Sequence, residues 1–381
     1  MTSCNTPIES LENPTETNDK EQHTYPLRQL YFYLTEGCNL KCRHCWIAPK
    51  YQGPGKAFPA LDPDLFRSII AEAKPMGLNG VKFTGGEPLL HPQISELIEI
   101  VRTEELRLTV ETNGVLCTPE LAVKLKAASK NTFVSVSIDG ASAATHEWVR
   151  GVNGSFDAAW QGVRNLVQAG FRPQVIMSIM RRNKDEIEAV VRLAEQNGAG
   201  SVKFNLVQPT ARGEAMHEAN ETLTIKELVD LGAWVEHTLT KTTTLRLVYS
   251  HPMAFRPLGK MFGDKGEGCG LCGILGILGV LANGSYALCG IGETVPEMVF
   301  GHAATDRLDE VWASTPILNE LREGFPVKLK GICSDCLMKG ICLGSCIAQN
   351  YYRSKDLWAP FWYCEEARKA GLFPETRLKP V

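Results

Sequence analysis

The stretch LYFYLTEGCNLKCRHC, residues 30–45, decides the fold of this chain. Its first six residues, Leu30–Thr35, are mostly large and aromatic and predict a buried strand. Cys38, Cys42 and Cys45 follow directly, at spacings of four and three. Three cysteines in one loop can bind one iron–sulfur cluster, and because a [4Fe–4S] cube takes four ligands, one iron stays open to a further molecule. A zinc knot is the alternative interpretation.

Outward from this loop, strands and helices alternate to about residue 207. Beyond Leu30–Thr35, strands are predicted at Val81–Thr84, Leu108–Thr112, Phe133–Asp139, Gln174–Met180 and Val202–Val207. Amphipathic helices are predicted between them, at Asp62–Met76, Pro92–Thr103, Pro119–Ala128, Phe156–Ala169 and Glu186–Asn197. This alternation predicts an α/β fold with a parallel sheet. Six units are fewer than the eight of a full TIM barrel, so we expect an open, partial (β/α)6 barrel.

The pattern of alternating predicted strands and helices ends near residue 255. A last helix is predicted at Thr224–Thr240 and a strand leading out of the barrel at Leu245–Tyr249. After about Gly263 the chain consists of short, glycine-rich pieces punctuated by cysteines. We therefore expect a barrel domain at residues 26–255 and a cysteine-rich domain at residues 256–381. Residues 1–25 are polar and predicted to be a disordered tail.

Composition favours a globular protein without nucleic-acid or membrane partners. The 381 residues are 44% apolar and 22% charged, with a formal net charge of -3, so there is no basic surplus. The N-terminus lacks the apolar segment of a signal peptide, and no apolar run is long enough to span a bilayer. A cytoplasmic location is predicted, and in a reducing cytoplasm the grouping of 13 cysteines indicates metal ligands.

A second motif, Thr84-Gly85-Gly86-Glu87-Pro88, follows the second predicted strand. Paired glycines allow the backbone to approach a ligand closely. A carboxylate beside them can accept hydrogen bonds from an ammonium group. Alone, this motif is equally typical of a turn, but here it comes one strand–helix unit after the cysteine loop.

The last third of the chain carries the third cysteine-rich pattern. Eleven residues separate Cys272 from Gly284, and four separate Gly284 from Cys289. The remaining cysteines lie downstream, at Cys333, Cys336, Cys342, Cys346 and Cys364, and Cys269 adds one thiol upstream. A zinc ribbon is the alternative for part of this set.

These three patterns resemble the radical S-adenosylmethionine (SAM) superfamily with a SPASM extension. The resemblance implies a C-terminal cysteine-rich SPASM domain after the partial barrel, and SAM bound at the open iron of the Cys38, Cys42 and Cys45 cluster. It further implies SAM contacts from residues near the strand ends, namely Thr84, Gly85, Gly86, Glu87, Thr112, Asn113, Ser137, Asp139, Arg150, Ser178 and Asn205. An ordinary polar role is the alternative for each of these side chains.

By the same resemblance, two auxiliary [4Fe–4S] clusters complete a set of three. One would be held by Cys269, Cys272, Cys289 and Cys346, and the other by Cys333, Cys336, Cys342 and Cys364. The implied chemistry starts when one electron, from a flavodoxin- or ferredoxin-type donor, cleaves SAM to a 5′-deoxyadenosyl radical. The auxiliary clusters would accept or relay electrons. We also expect the aromatic residues around Trp362 to shield the last cluster, and Gly273–Leu281 to form core beside a cluster.

SPASM relatives mostly modify peptides, so the resemblance implies a ribosomally made precursor peptide as substrate. The C-terminal sequence is similar to cyanobacterial-type maturases, some of which are spliceases that excise tyramine to leave an α-keto-β-amino acid. Thioether formation, carbon–carbon cross-linking and epimerisation are alternatives. Since no winged-helix-like segment precedes the barrel, a separate leader-recognition protein is expected.

Other classes of protein are also considered. Sulfatase maturases carry an acid immediately after the third cysteine of the SPASM set, where this chain has Gly290. Tetrapyrrole-tailoring radical SAM enzymes share the architecture. A non-enzymatic iron–sulfur electron carrier does not account for a three-cysteine motif followed by Gly-Gly-Glu.

Overall fold

The strand predicted at Leu30–Thr35 forms as Gln29–Tyr33, in the interior of a large sheet. The computed structural model describes residues 25–262 and 272–380. Most of the predicted disordered tail and Cys269 therefore lie outside the described residues; Tyr25 is described, and its carbonyl accepts a hydrogen bond from Trp312. The strands are β1 (Gln29–Tyr33), β2 (Gly37–Cys38), β3 (Lys50–Tyr51), β4 (Gly80–Thr84), β5 (Arg107–Thr112), β6 (Phe133–Ser137), β7 (Gln174–Ile179), β8 (Ser201–Leu206), β9 (Arg246–Tyr249), β10 (Ile277–Val280), β11 (Ser285–Ala287) and β12 (Val299–His302).

Ten of these strands form one sheet in the order β12-β11-β10-β1-β4-β5-β6-β7-β8-β9, and β2 pairs with β3 separately. From β10 to β9 every neighbouring pair is parallel, whereas β10, β11 and β12 are antiparallel. The predicted fold class is confirmed: an α/β partial barrel, to whose sheet the cysteine-rich C-terminal residues add β10, β11 and β12. Because the carboxyl ends of parallel strands share one edge, the loops after them meet there.

The sheet extends further than predicted at both ends. Strand Arg246–Tyr249 pairs in parallel with β8, so it continues the barrel instead of leading out of it. At the other edge β10 pairs in parallel with β1, with Gln29 opposite Ile277. The apolar segment Gly273–Leu281, predicted as core, therefore includes a sheet strand, β10. Asn283-Gly284 between two apolar runs is a typical hairpin signal for β10 and β11.

The predicted helices form with small shifts of their ends. The α-helices are α1 (Pro63–Ala73), α2 (Ile94–Thr103), α3 (Pro119–Ala128), α4 (Ala143–Arg150), α5 (Ser155–Gln168), α6 (Ile187–Gln196), α7 (Arg212–Glu218), α8 (Ile225–His237), α9 (Leu258–Phe262), α10 (Leu308–Ser314), α11 (Pro316–Gly324), α12 (Ile332–Asp335), α13 (Lys339–Cys342), α14 (Ile347–Ser354) and α15 (Trp362–Lys369). Short 3₁₀ helices lie at Lys74–Met76, Pro88–Leu90, Lys184–Glu186, Leu239–Lys241, Met253–Phe255, Ile274–Gly276, Gly290–Glu293, Pro296–Met298 and Glu375–Arg377.

Local chemistry fixes where several helices begin. The Asp62 side chain accepts hydrogen bonds from the backbone of α1, and Thr118 caps α3 in the same way. Helix α8 begins with a capping box between Thr224 and Glu227. Such caps satisfy backbone N–H groups that have no partner inside the helix.

The two faces of the barrel sheet have different compositions. On β1, Leu30 and Phe32 point outward and are fully buried under the helices, and the Phe32 ring centroid lies 4.5 Å from that of Phe66 on α1. Gln29 and Tyr31 alternate with them, point inward and are less buried, whereas Tyr33 at the end of the strand is buried. The inward face is therefore a polar lumen inside an apolar shell.

No helix within residues 25–262 and 272–380 combines the length and apolar character needed to cross a membrane.

Candidate active site and cysteine clusters

The cysteine loop is anchored to α4 and α7. Backbone hydrogen bonds join Lys41 to the Arg150 carbonyl and Arg43 to the Val149 carbonyl, each at 2.9 Å. From α7, the Arg212 guanidinium donates to the carbonyls of Cys42 (3.2 Å) and Pro49 (2.6 Å). The loop is thus held from two sides, and its three thiols are kept beside the carboxyl ends of the strands.

These thiols line a cavity of about 200 Å³ at the mouth of the barrel. The cavity brings together the predicted SAM contacts from the ends of five strands, with Asp139 as the exception. The shared lining is Cys38, Cys42, Cys45, Thr84, Gly85, Gly86, Glu87, Thr112, Asn113, Ser137, Arg150, Ser178 and Asn205.

The glycine pair packs directly on the cysteine loop. The Gly86 N–H donates to the Thr35 carbonyl (3.1 Å), and the Glu87 N–H donates to the Gly37 carbonyl (3.0 Å). A Cβ placed on Gly86 would lie 1.9 Å from the Gly37 carbonyl oxygen. Gly85 adopts φ +113°, a conformation that favours glycine. Both glycines are therefore required by the close approach of the two motifs.

The Glu87 carboxylate is buried and accepts hydrogen bonds from other groups of the protein. It accepts hydrogen bonds from the Thr112 hydroxyl (2.6 Å) and from the backbone N–H groups of Asn113 (2.8 Å) and Leu89 (3.0 Å). Burial raises the pKa of Glu87, and these hydrogen bonds oppose the rise. The side chain ties the end of β5 to the glycine turn.

Asp139 lies behind the cavity and pairs with Arg150. The two side chains are joined at 2.8 Å, and both are buried. Although burial acts to raise the pKa of Asp139, the Arg150 guanidinium lowers it below its usual value. Arg150 also donates to the Cys42 sulfur at 3.4 Å. Asp139 therefore acts through Arg150, whose guanidinium it holds beside the Cys42 sulfur.

The sequence analysis missed several lining residues, of which three are titratable: His44, Glu111 and Arg212. His44 sits between two of the cysteines, and its burial lowers its pKa to about 4, so its ring is neutral at neutral pH. Glu111 directly precedes the predicted contact Thr112 on β5, and this inward position was a usable signal. Arg212 follows β8 in a helix that had no clear periodic pattern, so nothing local indicated its role.

The C-terminal cysteines divide into the two sets that the resemblance implied. Cys272, Cys289 and Cys346 form the first, and beyond the effect of burial the proximity of Cys346 raises the thiol pKa of both Cys272 and Cys289. Cys269, the fourth member, lies outside the described residues.

The second set is enclosed by apolar side chains. The four thiols surround a cavity of about 20 Å³ whose walls include Phe361 and Phe373, and burial dominates the raised pKa of Cys364. Of the four aromatic residues expected to shield this set, Phe361 lines the cavity, whereas Trp358, Trp362 and Tyr363 are not in its lining. The four thiols are Cys333, Cys336, Cys342 and Cys364.

The donor chemistry of these sets fits iron–sulfur clusters. Among residues 25–262 and 272–380, no three His, Cys, Asp or Glu side chains are arranged to hold a single metal ion. A tetrahedral zinc site draws its thiolates to within about 4 Å of one another. A cube-shaped cluster keeps its cysteines at separate corners. Three thiols around the polar cavity would leave one iron of a cube open, and four around the apolar one would complete its ligands.

Comparison with known proteins agrees with this geometry. Residues 32–194 match the radical SAM superfamily, and residues 269–337 match SPASM, an iron–sulfur cluster-binding domain. The chain is 30% identical over 348 residues to the AdoMet-dependent heme synthase of Methanosarcina barkeri, covering 88% of this chain and 96% of that protein. It is 28% identical over 358 residues to the mycofactocin maturase MftC of Mycobacterium ulcerans, covering 92% of this chain and 91% of that protein.

A solved structure shares the fold. The structure of Streptococcus suis SuiB bound to precursor peptide SuiA superposes with a TM-score of 0.67 at 17% identity, covering 90% of this chain and 76% of that one. With three thiols at the mouth of a partial barrel and a cysteine-rich domain closing its sheet, the chain belongs to the radical SAM superfamily, among the members that carry a SPASM domain.

Proposed function

We propose that this enzyme modifies a ribosomally made precursor peptide through a 5′-deoxyadenosyl radical. The observation that carries the proposal is the cavity lined by Cys38, Cys42 and Cys45, which opens on a polar barrel lumen. Further support comes from a relative named as a maturase and a structural neighbour bound to a precursor peptide.

The cofactors and the protein have separate tasks. When bound, SAM and the three [4Fe–4S] clusters supply the radical and the electron transfer. The chain's own residues orient the reactants: Arg212 and Arg150 fix the cysteine loop, and the Gly85-Gly86 turn presents backbone to the cavity. In this proposal Thr112, Asn113, Ser137, Ser178 and Asn205 contact SAM, and Asp139 positions Arg150.

Sulfatase maturation is disfavoured by the surroundings of Gly290. A Cβ built on Gly290 would lie 2.3 Å from Cε1 of Tyr33, so the Tyr33 ring occupies the place of the acidic side chain. Tyr33 is buried between this residue and the cysteine loop.

At the finer level, we propose splicing of the peptide backbone with excision of tyramine. The support is the similarity of the C-terminal sequence to cyanobacterial-type maturases. Cross-linking and epimerisation leave the peptide mass changed by hydrogens only or not at all, whereas splicing removes the mass of tyramine. A separate leader-recognition protein and a flavodoxin- or ferredoxin-type donor complete the proposed system.

Tetrapyrrole tailoring is the second candidate, favoured by the 30% identity to a heme synthase over 96% of its length. The two candidates differ in their substrate, which is a precursor peptide for the first and a tetrapyrrole for the second. Both require SAM cleavage.

The deciding experiment uses anaerobically reconstituted enzyme with SAM and dithionite. We expect about twelve irons per chain, three cubes of four, and release of 5′-deoxyadenosine. Precursor peptides encoded beside the gene and an iron porphyrin with propionate side chains are then supplied separately. A mass change in a peptide supports maturation, and turnover of the porphyrin alone contradicts it. Zinc in place of iron, or no 5′-deoxyadenosine, contradicts both candidates.

A further inference from the structure

The cavity lined by Cys38, Cys42 and Cys45, here called the SAM-side cavity, is also lined by an acid, Glu111, whose charge is already neutralised. Glu111 on β5 pairs with Lys82 on β4, with 2.6 Å between the carboxylate oxygen and the ammonium nitrogen. Lys82 also lies 4.7 Å from the centroid of the Tyr31 ring. Burial acts to raise the pKa of Glu111, but Lys82 lowers it below its usual value. Glu111 is therefore an anion with its partner in place.

Lys203 adds a second ammonium group to the lumen, on β8. Its neighbours in register are Ile176 on β7 and Val248 on β9, and neither can neutralise a charge. Throughout the described parts of the chain, Lys203 donates no hydrogen bond and has no carboxylate within ion-pair distance. A half-buried cation without a counter-ion is costly unless a ligand supplies one.

The charges around Lys203 increase this imbalance. Burial lowers the pKa of Lys203, Glu111 partly opposes that effect, and Lys82 and Arg256 add to it. Lys82, besides its pair with Glu111, also interacts with the thiols of Cys272 and Cys289. Lys203 has no close counter-ion among the described residues, so the space beside it attracts an anionic group.

Lys203 is also close to the reaction site. Asn205, two residues further along β8 on the same face, lines the cavity together with the three thiols, and so does Ile176. A group held by Lys203 would lie one layer of side chains below the mouth of the barrel. The atoms next to that group would then be at the mouth itself.

We propose that Lys203 binds a carboxylate of the substrate and so positions the neighbouring part of the substrate at the SAM-side cavity. This inference rests on the proposed function, in which the carboxylate belongs to an acidic side chain or the C-terminus of the peptide. A propionate of a tetrapyrrole offers the same chemistry.

The test is affinity selection on reconstituted, SAM-loaded enzyme. The first probe is a pool of random decapeptides with amidated C-termini, in two forms that differ only by Glu or Gln at one central position. A second pool compares free and amidated C-termini. We expect the wild type to retain the carboxylate form of at least one pool about tenfold over its amide form, the scale of one charge-assisted hydrogen bond.

Variants assign this preference to Lys203. In Lys203→Met the ratio of retained carboxylate form to retained amide form should fall to about one. Lys203→Arg should keep most of the wild-type ratio. If Lys203→Met does not fold, Lys203→Gln takes its place. Lys130→Met, at an exposed position, is the charge-matched control and should behave as the wild type. Equal retention of both forms in both pools by the wild type, or unchanged selectivity in the folded Lys203 variants, overturns the peptide-carboxylate site.

A second binding experiment, with a porphyrin, distinguishes failure of the carboxylate site from failure of the proposed peptide substrate. The probes are a porphyrin with four propionates and its tetramethyl ester, whose binding is followed by fluorescence. Binding of the acid that depends on Lys203, without selective peptide retention, supports the carboxylate site and contradicts a peptide substrate. Absence of selective binding in both arms contradicts the site itself.

Discussion

The N-terminal and C-terminal cysteine sites use the same side chain in opposite surroundings. Cys38, Cys42 and Cys45 face a polar cavity of about 200 Å³ that charged and amide side chains line. The four thiols from Cys333 to Cys364 enclose about 20 Å³ between apolar walls. Three thiols beside open space suit a site where a molecule binds and reacts. Four thiols, three of them buried, between apolar walls suit a site that stores or passes electrons and stabilises the fold.

Removing one thiol from each site should give the largest contrast. Cys42→Ala leaves the N-terminal cluster two thiols, so 5′-deoxyadenosine release should fall to background. Cys336→Ala should retain much of this uncoupled cleavage but lower the thermal stability of the C-terminal region. Anaerobic turnover assays and thermal unfolding measure both effects. Equal loss of SAM cleavage in the two variants would contradict the division of roles.

A buried charge pair, Asp139 with Arg150, supports the N-terminal site. Asp139→Asn leaves Arg150 buried beside Cys42 without its carboxylate, and should cost about 3–5 kcal/mol of stability. Asp309→Asn is the matched control, because its pair with Arg307 is exposed and solvent-screened pairs contribute little to stability. Denaturant unfolding measures both free energies. A loss in Asp139→Asn no greater than in the control would show that the pair is not needed.

The glycine turn offers a steric test of the same site. Gly86→Ala drives a methyl group into the Gly37 carbonyl and should cost about 1–3 kcal/mol, with weaker SAM binding. Gly259→Ala meets no neighbouring atom within 4 Å and lies in helix α9, so it should be neutral or slightly stabilising. Calorimetry with SAM and thermal unfolding separate the two. Unaltered SAM affinity in Gly86→Ala would show that the turn does not shape the cavity.

The smallest effect is expected at the edge of the C-terminal site. The Trp362 indole N–H donates to the buried Gln349 side chain at 3.2 Å. Trp362→Phe loses this hydrogen bond and should cost about 1 kcal/mol in urea unfolding. SAM cleavage should not change. A large drop in cleavage would mean that the two cysteine sites are more tightly coupled than their surroundings indicate.

Local patterns were sufficient for the barrel and its cysteine loop. The helix predicted at Pro119–Ala128 has the observed bounds, because a threonine cap and a proline start define it. The Gly-Gly-Glu turn was predicted from its position after a strand, and the structure brings it against the cysteine loop. Such features depend on residues that are near one another in sequence.

Features that join distant segments could not be predicted from local patterns. Pairing of Gln29 with Ile277 leaves no signal in either segment alone. The partner of Asp139 is an arginine on a helix, α4, that the sequence analysis did not predict. Lys82 and Glu111 lie on the neighbouring strands β4 and β5, but only the curvature of the sheet brings Lys203, on β8, near them.

The pairing of β1 with β10 has a consequence for biosynthesis. Strand β1 receives one neighbour from β4, early in the chain, but the other only when Ile277–Val280 has left the ribosome. At about 5–20 residues per second, the nascent chain carries an open, apolar strand edge for some tens of seconds. An unpaired edge of this kind invites aggregation, so shielding by a chaperone during translation should raise the yield of soluble enzyme. Because that edge closes only after β10 emerges, the barrel is completed by the domain that holds the auxiliary cysteines.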